Sequence, residues 1–169
     1  LTDVTGVQTC ALPIFGDDLP WEHQSYKQRL DKLQKDQKRL AAKWSAYPSE
    51  VETREMRSAY NELRATIERV VQDVFFNGVV ERYRDWMKVG RLPGVLGFSK
   101  LDCDEIERLH STCSGVVSAH DPASAKNASV PDPKQLAADI ASLSNVIEAI
   151  KAQRKALESA SALTLSAKG

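Results

Sequence analysis

Two groups of side chains in this sequence have the types and spacing to do chemistry. The first is Cys103, His110 and Cys113. Thiols and imidazoles hold zinc when four ligands converge, usually with a close pair such as Cys-x-x-Cys. No such pair occurs here, and Cys113 falls on an apolar helical face. A fourth ligand has to come from His120 or from a carboxylate. A buried thiol beside a surface histidine is the reading these positions favour. The second group is Arg82, Arg84, Lys88 and Arg91 beside Tyr83 and Trp86. Arginine with aromatic neighbours is common at protein interfaces, and that role is favoured over direct contact with phosphate or nucleic acid.

His120-Asp121 is a further pair worth weighing. A His-Asp dyad serves metal-dependent phosphohydrolases, together with an upstream His and a downstream Asp on separate helices. His110 and Asp132 or Asp139 are nominal partners, but their spacing around one short loop disfavours this. A simpler account is structural: His120 ends a helix, where a partly positive imidazole suits the dipole, and Asp121 before Pro122 starts a turn. The nucleotide motifs Gly-x-x-x-x-Gly-Lys-Ser/Thr and Gly-x-Gly-x-x-Gly are absent. So are a magnesium-holding acidic strand end and a Gly-x-Ser-x-Gly elbow. No catalytic, cofactor-binding or metal-binding residue is assigned, and the chain is expected not to be an enzyme.

The elements that would position these residues read as helices. The first is expected from about Leu19 to Tyr47, with Tyr26, Leu30, Leu33, Gln37, Leu40 and Trp44 as a heptad-like seam. Lys and Arg outnumber Asp on its other faces, which makes this arm locally basic; a solvated face is favoured over a nucleic-acid or acidic-partner contact. Pro48 breaks it. Ser49 and Glu52 form the sequence signature of a capping box. A second long helix follows with Met56, Tyr60, Leu63, Ile67, Val70 and Val74 as its seam. Two seamed helices joined by a short turn suggest an antiparallel pair.

Residues Val70 to Val80 are apolar on more than one face and contain Asn77-Gly78. A helix that continues to Trp86 and tolerates Gly78 for close packing is favoured. A break at that point and a strand hairpin remain as alternatives. Gly90, Pro93, Gly94 and Gly97 mark a turn region. A third helix is expected from about Asp102, with Glu105 as cap partner and Ile106, Leu109, Cys113 and Val116 inward. A fourth starts at Asp132 as cap and Pro133 as first helical residue. Its seam is Leu136, Ile140, Leu143, Ile147, Ile150 and Leu157. Fraying is expected from Ser159 to Gly169. The fold class is therefore all-α: long antiparallel helical arms with a compact helical middle, partly coiled-coil.

Composition narrows the function classes. The chain has 169 residues with 23 Lys+Arg and 23 Asp+Glu, so its net charge is zero. That argues against a dedicated nucleic-acid module, which carries a basic surplus, while leaving room for a local patch. No apolar run approaches the roughly 20 residues that span a bilayer, and no membrane role is expected. Val4 to Ile14 spells one translated frame of a widely used sequencing-library adapter. Residues 1–15 are therefore set aside as not native, and Cys10 with them. The two remaining thiols, without a secretory signal, suit a reducing cytoplasm. The organisation expected is 16–90 for two long helices, 91–158 for two more, and 159–169 for a flexible tail.

Beyond that leader, the chain resembles the C-terminal part of bacterial AAA-family ATPases of the SMC-like, ABC-type kind. The resemblance rests on Leu63-Arg64-Ala65-Thr66-Ile67-Glu68-Arg69-Val70-Val71 and Asn77-Gly78-Val79-Val80-Glu81-Arg82. It continues through Ala119-His120-Asp121 and Pro131-Asp132-Pro133, and covers roughly Asp18 to Leu157. It implies a parent with a split ATPase head and coiled-coil insertions, acting in DNA repair or phage defence. ATP and magnesium are implied for that parent, upstream of this segment, and none for this chain. The implied partner is the ATPase head, missing from this chain on the N-terminal side. Self-association through the helical seams is the alternative, that of a stand-alone interaction module. Asn77, Gly78, Arg82, His120 and Asp121 match the family pattern and carry over as packing or coupling positions without a catalytic role.

Overall fold

A computed structural model describes residues 20–82, 84–118 and 130–166. Among them the fold is all-α. A 3-10 turn at Trp21–His23 leads into α1 (Tyr26–Lys43) and then α2 (Glu50–Val70), which runs on into a π-helical turn at Val71–Phe75. A 3-10 segment at Val89–Val95 precedes α3 (Lys100–Ser118), and α4 (Pro133–Ser166) is the last element among the described residues. No helix among the described residues is long and apolar enough to cross a membrane.

Local chemistry sets the helix starts. Ser25 and Gln28 form a capping box ahead of α1, and Ser49 and Glu52 form one ahead of α2. Each satisfies backbone N–H groups that have no partner inside the helix, and such a cap contributes about 1 kcal/mol. The first helix therefore begins at Tyr26 and ends at Lys43, shorter than Leu19 to Tyr47. At α3 the box is Ser99 with Asp102, not Asp102 with Glu105. The Ser99 hydroxyl donates to Asp102 Oδ2 at 2.6 Å, and the Asp102 amide donates back at 3.3 Å. Asp132 caps α4 as expected, accepting from the Gln135 amide at 2.8 Å. That helix continues to Ser166, past the end expected near Ser159.

Polar cross-links give the helix directions. Arg29 reaches Ala65, Lys32 reaches Glu62 and Arg39 reaches Glu55, so α1 and α2 run antiparallel. Gln37 on α1 donates to the Pro133 carbonyl, and Lys151 lies over the Tyr26 ring, so α4 is antiparallel to α1. Glu105 meets Ser142 and Arg108 approaches Asp139, which sets α3 antiparallel to α4. The four helices thus pack up-down-up-down around a shared core.

Every helix contributes to that core: Leu33 and Leu40 from α1, Tyr60, Leu63 and Ile67 from α2, Leu109 and Cys113 from α3, Leu136, Leu143 and Ile150 from α4. Burying one Leu or Ile side chain fully is worth about 1.5–3 kcal/mol. All six seam residues expected for the second helix are buried, five on α2 and Val74 in the π-helical turn that follows it. Leu157 is not; it lies beyond the part of α4 that the other helices cover.

The continuation through Gly78 does not form. Asn77 (φ 50°) and Gly78 (φ 63°) both take left-handed backbone, which ends a helix and turns the chain. The Gly78 amide donates to the Gln72 carbonyl at 2.9 Å, satisfying a carbonyl at the helix end. The charges of Glu81, Arg82, Arg84 and Asp85 resemble a helical face, but the break upstream leaves these described residues outside any regular helix.

Candidate functional site

The end of α2 gathers three of the five positions singled out by the family resemblance. Asn77 donates from Nδ2 to the Arg91 carbonyl at 3.0 Å. Gly78 lies under the Arg91 guanidinium, where an added Cβ would come within 2.6 Å of Nη1. Arg82 turns back and pairs with Glu68 at 2.5 Å. His120 and Asp121 lie outside the described residues.

Glu68 is the hub of this corner. His110 on α3 approaches its other carboxylate oxygen at 3.6 Å. Burial works against the charged carboxylate, but the bonds from Arg82 and His110 outweigh it and hold its pKa below the usual carboxylate value. His110 therefore serves a carboxylate contact between α2 and α3. Cys113 is buried in the core, and burial pushes its pKa up to about 12. Cys103 is exposed. Among the described residues no three His, Cys, Asp or Glu side chains sit close enough together to hold a metal ion.

An apolar groove of about 600 Å³ opens between α2, α3 and the connection. Ile67, Val71, Phe75, Phe98 and Ile106 form its walls, with Glu68, Arg82 and His110 among its polar residues. The rings of Phe75 and Phe98 meet at 5.1 Å and fix one end. The π-turn builds this wall. An i→i+5 turn shifts the side-chain register relative to a regular helix. Val74 and Phe75 thus stay in the core while Phe76 is exposed.

Three members of the basic cluster, Arg82, Arg84 and Lys88, form ion pairs within the chain. Arg84 pairs with Glu81 at 2.8 Å and lies over the Trp86 ring at 5.1 Å; Lys88 also bonds to Glu81. Tyr83 lies outside the described residues. What the sequence did not signal is the surrounding apolar exposure. Trp86, Met87, Val89, Leu92, Leu96 and Leu101 are all more than half exposed. Their alternation with Gly, Pro and charged residues hides them from any periodic reading. Comparison with protein-family models, with curated proteins and with solved structures finds no match for this chain.

Proposed function

We propose that this chain is a docking module, not a catalyst: a helical bundle that packs on the head of an AAA-family, SMC-like ATPase and couples to it. One observation carries the docking role. Six large apolar side chains between Trp86 and Leu101 are more than half exposed, gathered in the connection and the first turn of α3. Large exposed apolar surface marks interaction sites in soluble proteins, and these six side chains fall within one short stretch of chain. The ATPase partner rests on the sequence resemblance. In this reading the α1–α2 hairpin is the base of a coiled-coil arm, and Asn77, Gly78 and Arg82 brace the connection that meets the head. A self-associating interaction module is less favoured, because most residues of the helical seams already pack together within one chain.

The test starts with the reading frame of the intact gene that encodes residues 20–166. A phosphate-loop motif in the same frame supports the parent ATPase; an intact frame without any nucleotide motif overturns it. The head encoded there is then co-expressed with this chain. The expected result is a stable complex that Trp86→Ser/Leu92→Ser/Leu96→Ser abolishes without loss of helix content. Undiminished binding by that variant overturns the surface assignment.

A further inference from the structure

Two clefts meet on one side of the bundle. One is the apolar groove between α2, α3 and the connection. A second cleft, polar and of about 580 Å³, shares Glu68, Gln72 and Arg82 with it. Trp21, Arg29, Arg69 and Arg84 form other parts of the second cleft, with Glu22 and Glu81.

The guanidinium groups in this polar cleft are not equivalent. Arg69 pairs with Asp73, Arg82 with Glu68, and Arg84 with Glu81. Arg29 has no carboxylate partner among the described residues. It is only 6 % exposed. Its Nη1 donates to the Ala65 carbonyl at 3.1 Å and its Nη2 to the Trp21 carbonyl at 2.9 Å. Its Nε has no acceptor. The Trp21 ring lies 4.7 Å from the guanidinium carbon. Carbonyl oxygens and an aromatic face orient this cation but do not neutralise it. Asp73 and Glu22 act on it without direct contact; a buried charge lacking a direct ion pair is costly, and an anion in the adjoining cleft offsets that cost. Arg82 touches Glu68 through Nη2 alone and is 61 % exposed along its side chain, so it has donors left for a ligand.

We propose that the joined clefts bind an amphiphilic anion. Its alkyl or acyl chain lies in the groove walled by Ile67, Val71, Phe75 and Phe98. Its carboxylate or phosphate sits near Arg29, Arg82 and Arg84. The shared wall is what makes this one site. An apolar chain without charge uses only the groove, and a bare anion uses only the polar cleft. Fixed cationic donors beside a concave apolar surface match the usual make-up of a small-molecule site, and charge-assisted hydrogen bonds from Arg supply orientation. The site adjoins the surface proposed for docking, since Arg84 lies over the Trp86 ring; the two readings are told apart because ligand binding is measured on this chain alone and docking requires the head.

Calorimetric titration of the purified chain tests this with four probes below their micelle concentrations: decyl phosphate, decanoate, decyltrimethylammonium and inorganic phosphate. Saturable one-site binding is expected for at least one of the two decyl anions, about tenfold tighter than for the decyl cation. The tighter of the two tells a phosphate headgroup from a carboxylate. Arg82→Gln and Arg84→Gln lie at exposed positions and are expected to weaken the anion about tenfold each with helix content unchanged. Val80→Trp, at the groove lip, is expected to weaken every decyl probe. Equal affinity for both charges overturns the proposal, and so does indifference to both arginine variants. Inorganic phosphate binding as tightly as decyl phosphate overturns it too, because the groove then contributes nothing.

Discussion

Tyr60 on α2 donates its phenol proton to Asp139 Oδ2 on α4 at 2.9 Å, inside the core. Tyr60 is fully buried and Asp139 is 2 % exposed. Burial first, then the bond to Asp139, drives the Tyr60 pKa above its ordinary range, so the phenol remains a donor at all working pH. The other Asp139 oxygen accepts from Gln135 Nε2 at 3.2 Å and lies 3.7 Å from Arg108. This carboxylate fixes α2, α3 and α4 against one another.

Tyr60→Phe therefore leaves Asp139 buried and short of a donor. The expected loss is about 1–3 kcal/mol of unfolding free energy, because the orphaned carboxylate bears the desolvation penalty. Urea denaturation of wild type and variant measures it. Tyr60→Phe/Asp139→Leu is expected to lose less than the two single variants added together. Full additivity would show that the bond carries no coupling.

Acid sensitivity follows from two other carboxylates. Glu105 is bonded by Arg108 and by Ser142, and these hold its pKa at about 2. Glu52 is held at about 2 by the hydroxyl and amide of Ser49 and the amide of Ser45. A carboxylate whose folded pKa lies below its unfolded value stabilises the fold above the unfolded value, and that contribution vanishes as pH falls through the folded one. Stability is thus expected to be level near neutrality and to decline from roughly pH 5 down to about 2. Glu105→Gln and Glu52→Gln should each flatten that decline. Urea midpoints across the acid range check it, and a variant with an unchanged slope would remove that residue from the account.

The parts of this fold that sequence reveals are those set by local chemistry. Ser49 with Glu52, and Asp132 before Pro133, specify their helix starts within a few residues, and both form. Ser99 with Asp102 escaped notice because Asp replaces the Glu or Gln of the usual box. At Asn77-Gly78 a turn signal competes with a charge pattern of helical spacing downstream, and the turn wins. Charges at helical spacing do not require a helix, whereas two successive left-handed residues end one. The groove was illegible for a different reason. Ile67, Phe98 and Ile106 become neighbours only when α2, α3 and the connection pack, and no periodicity within one segment announces that.

The two described cysteines should differ sharply towards alkylating reagents. The thiolate is the reactive species. Cys113 is fully buried and its pKa is pushed up to about 12, first by burial and then by Asp139. Cys103 is exposed on the first turn of α3 beside the groove. In a Cys10→Ser background, iodoacetamide at pH 8 is expected to modify Cys103 and spare Cys113 until urea is added. Mass spectrometry of tryptic peptides reads both sites. Equal labelling in the native state would mean that the α2–α3–α4 core opens on the labelling timescale.

The connection between α2 and α3 is locked by a contact that a double-mutant cycle can isolate. An added Cβ at Gly94 would fall 2.1 Å from Asn77 Nδ2, and the same amide nitrogen bonds the Arg91 carbonyl. Gly94→Ala must displace that amide and is expected to cost about 1–3 kcal/mol, the range for overpacking a tight contact. Asn77→Gly removes the amide and keeps a residue that accepts positive φ, so it loses the hydrogen bond without backbone strain. Once the amide is gone, the Ala methyl has room. The double variant should therefore be less destabilised than the sum of the singles, with coupling of about 0.5–3 kcal/mol. Chemical denaturation of the four proteins measures it. Gly90→Ala is the control, since nothing lies within 4 Å of its added Cβ, and it should be near neutral. Additive losses in the cycle would show that Gly94 matters for its own backbone and not for the space it leaves to Asn77.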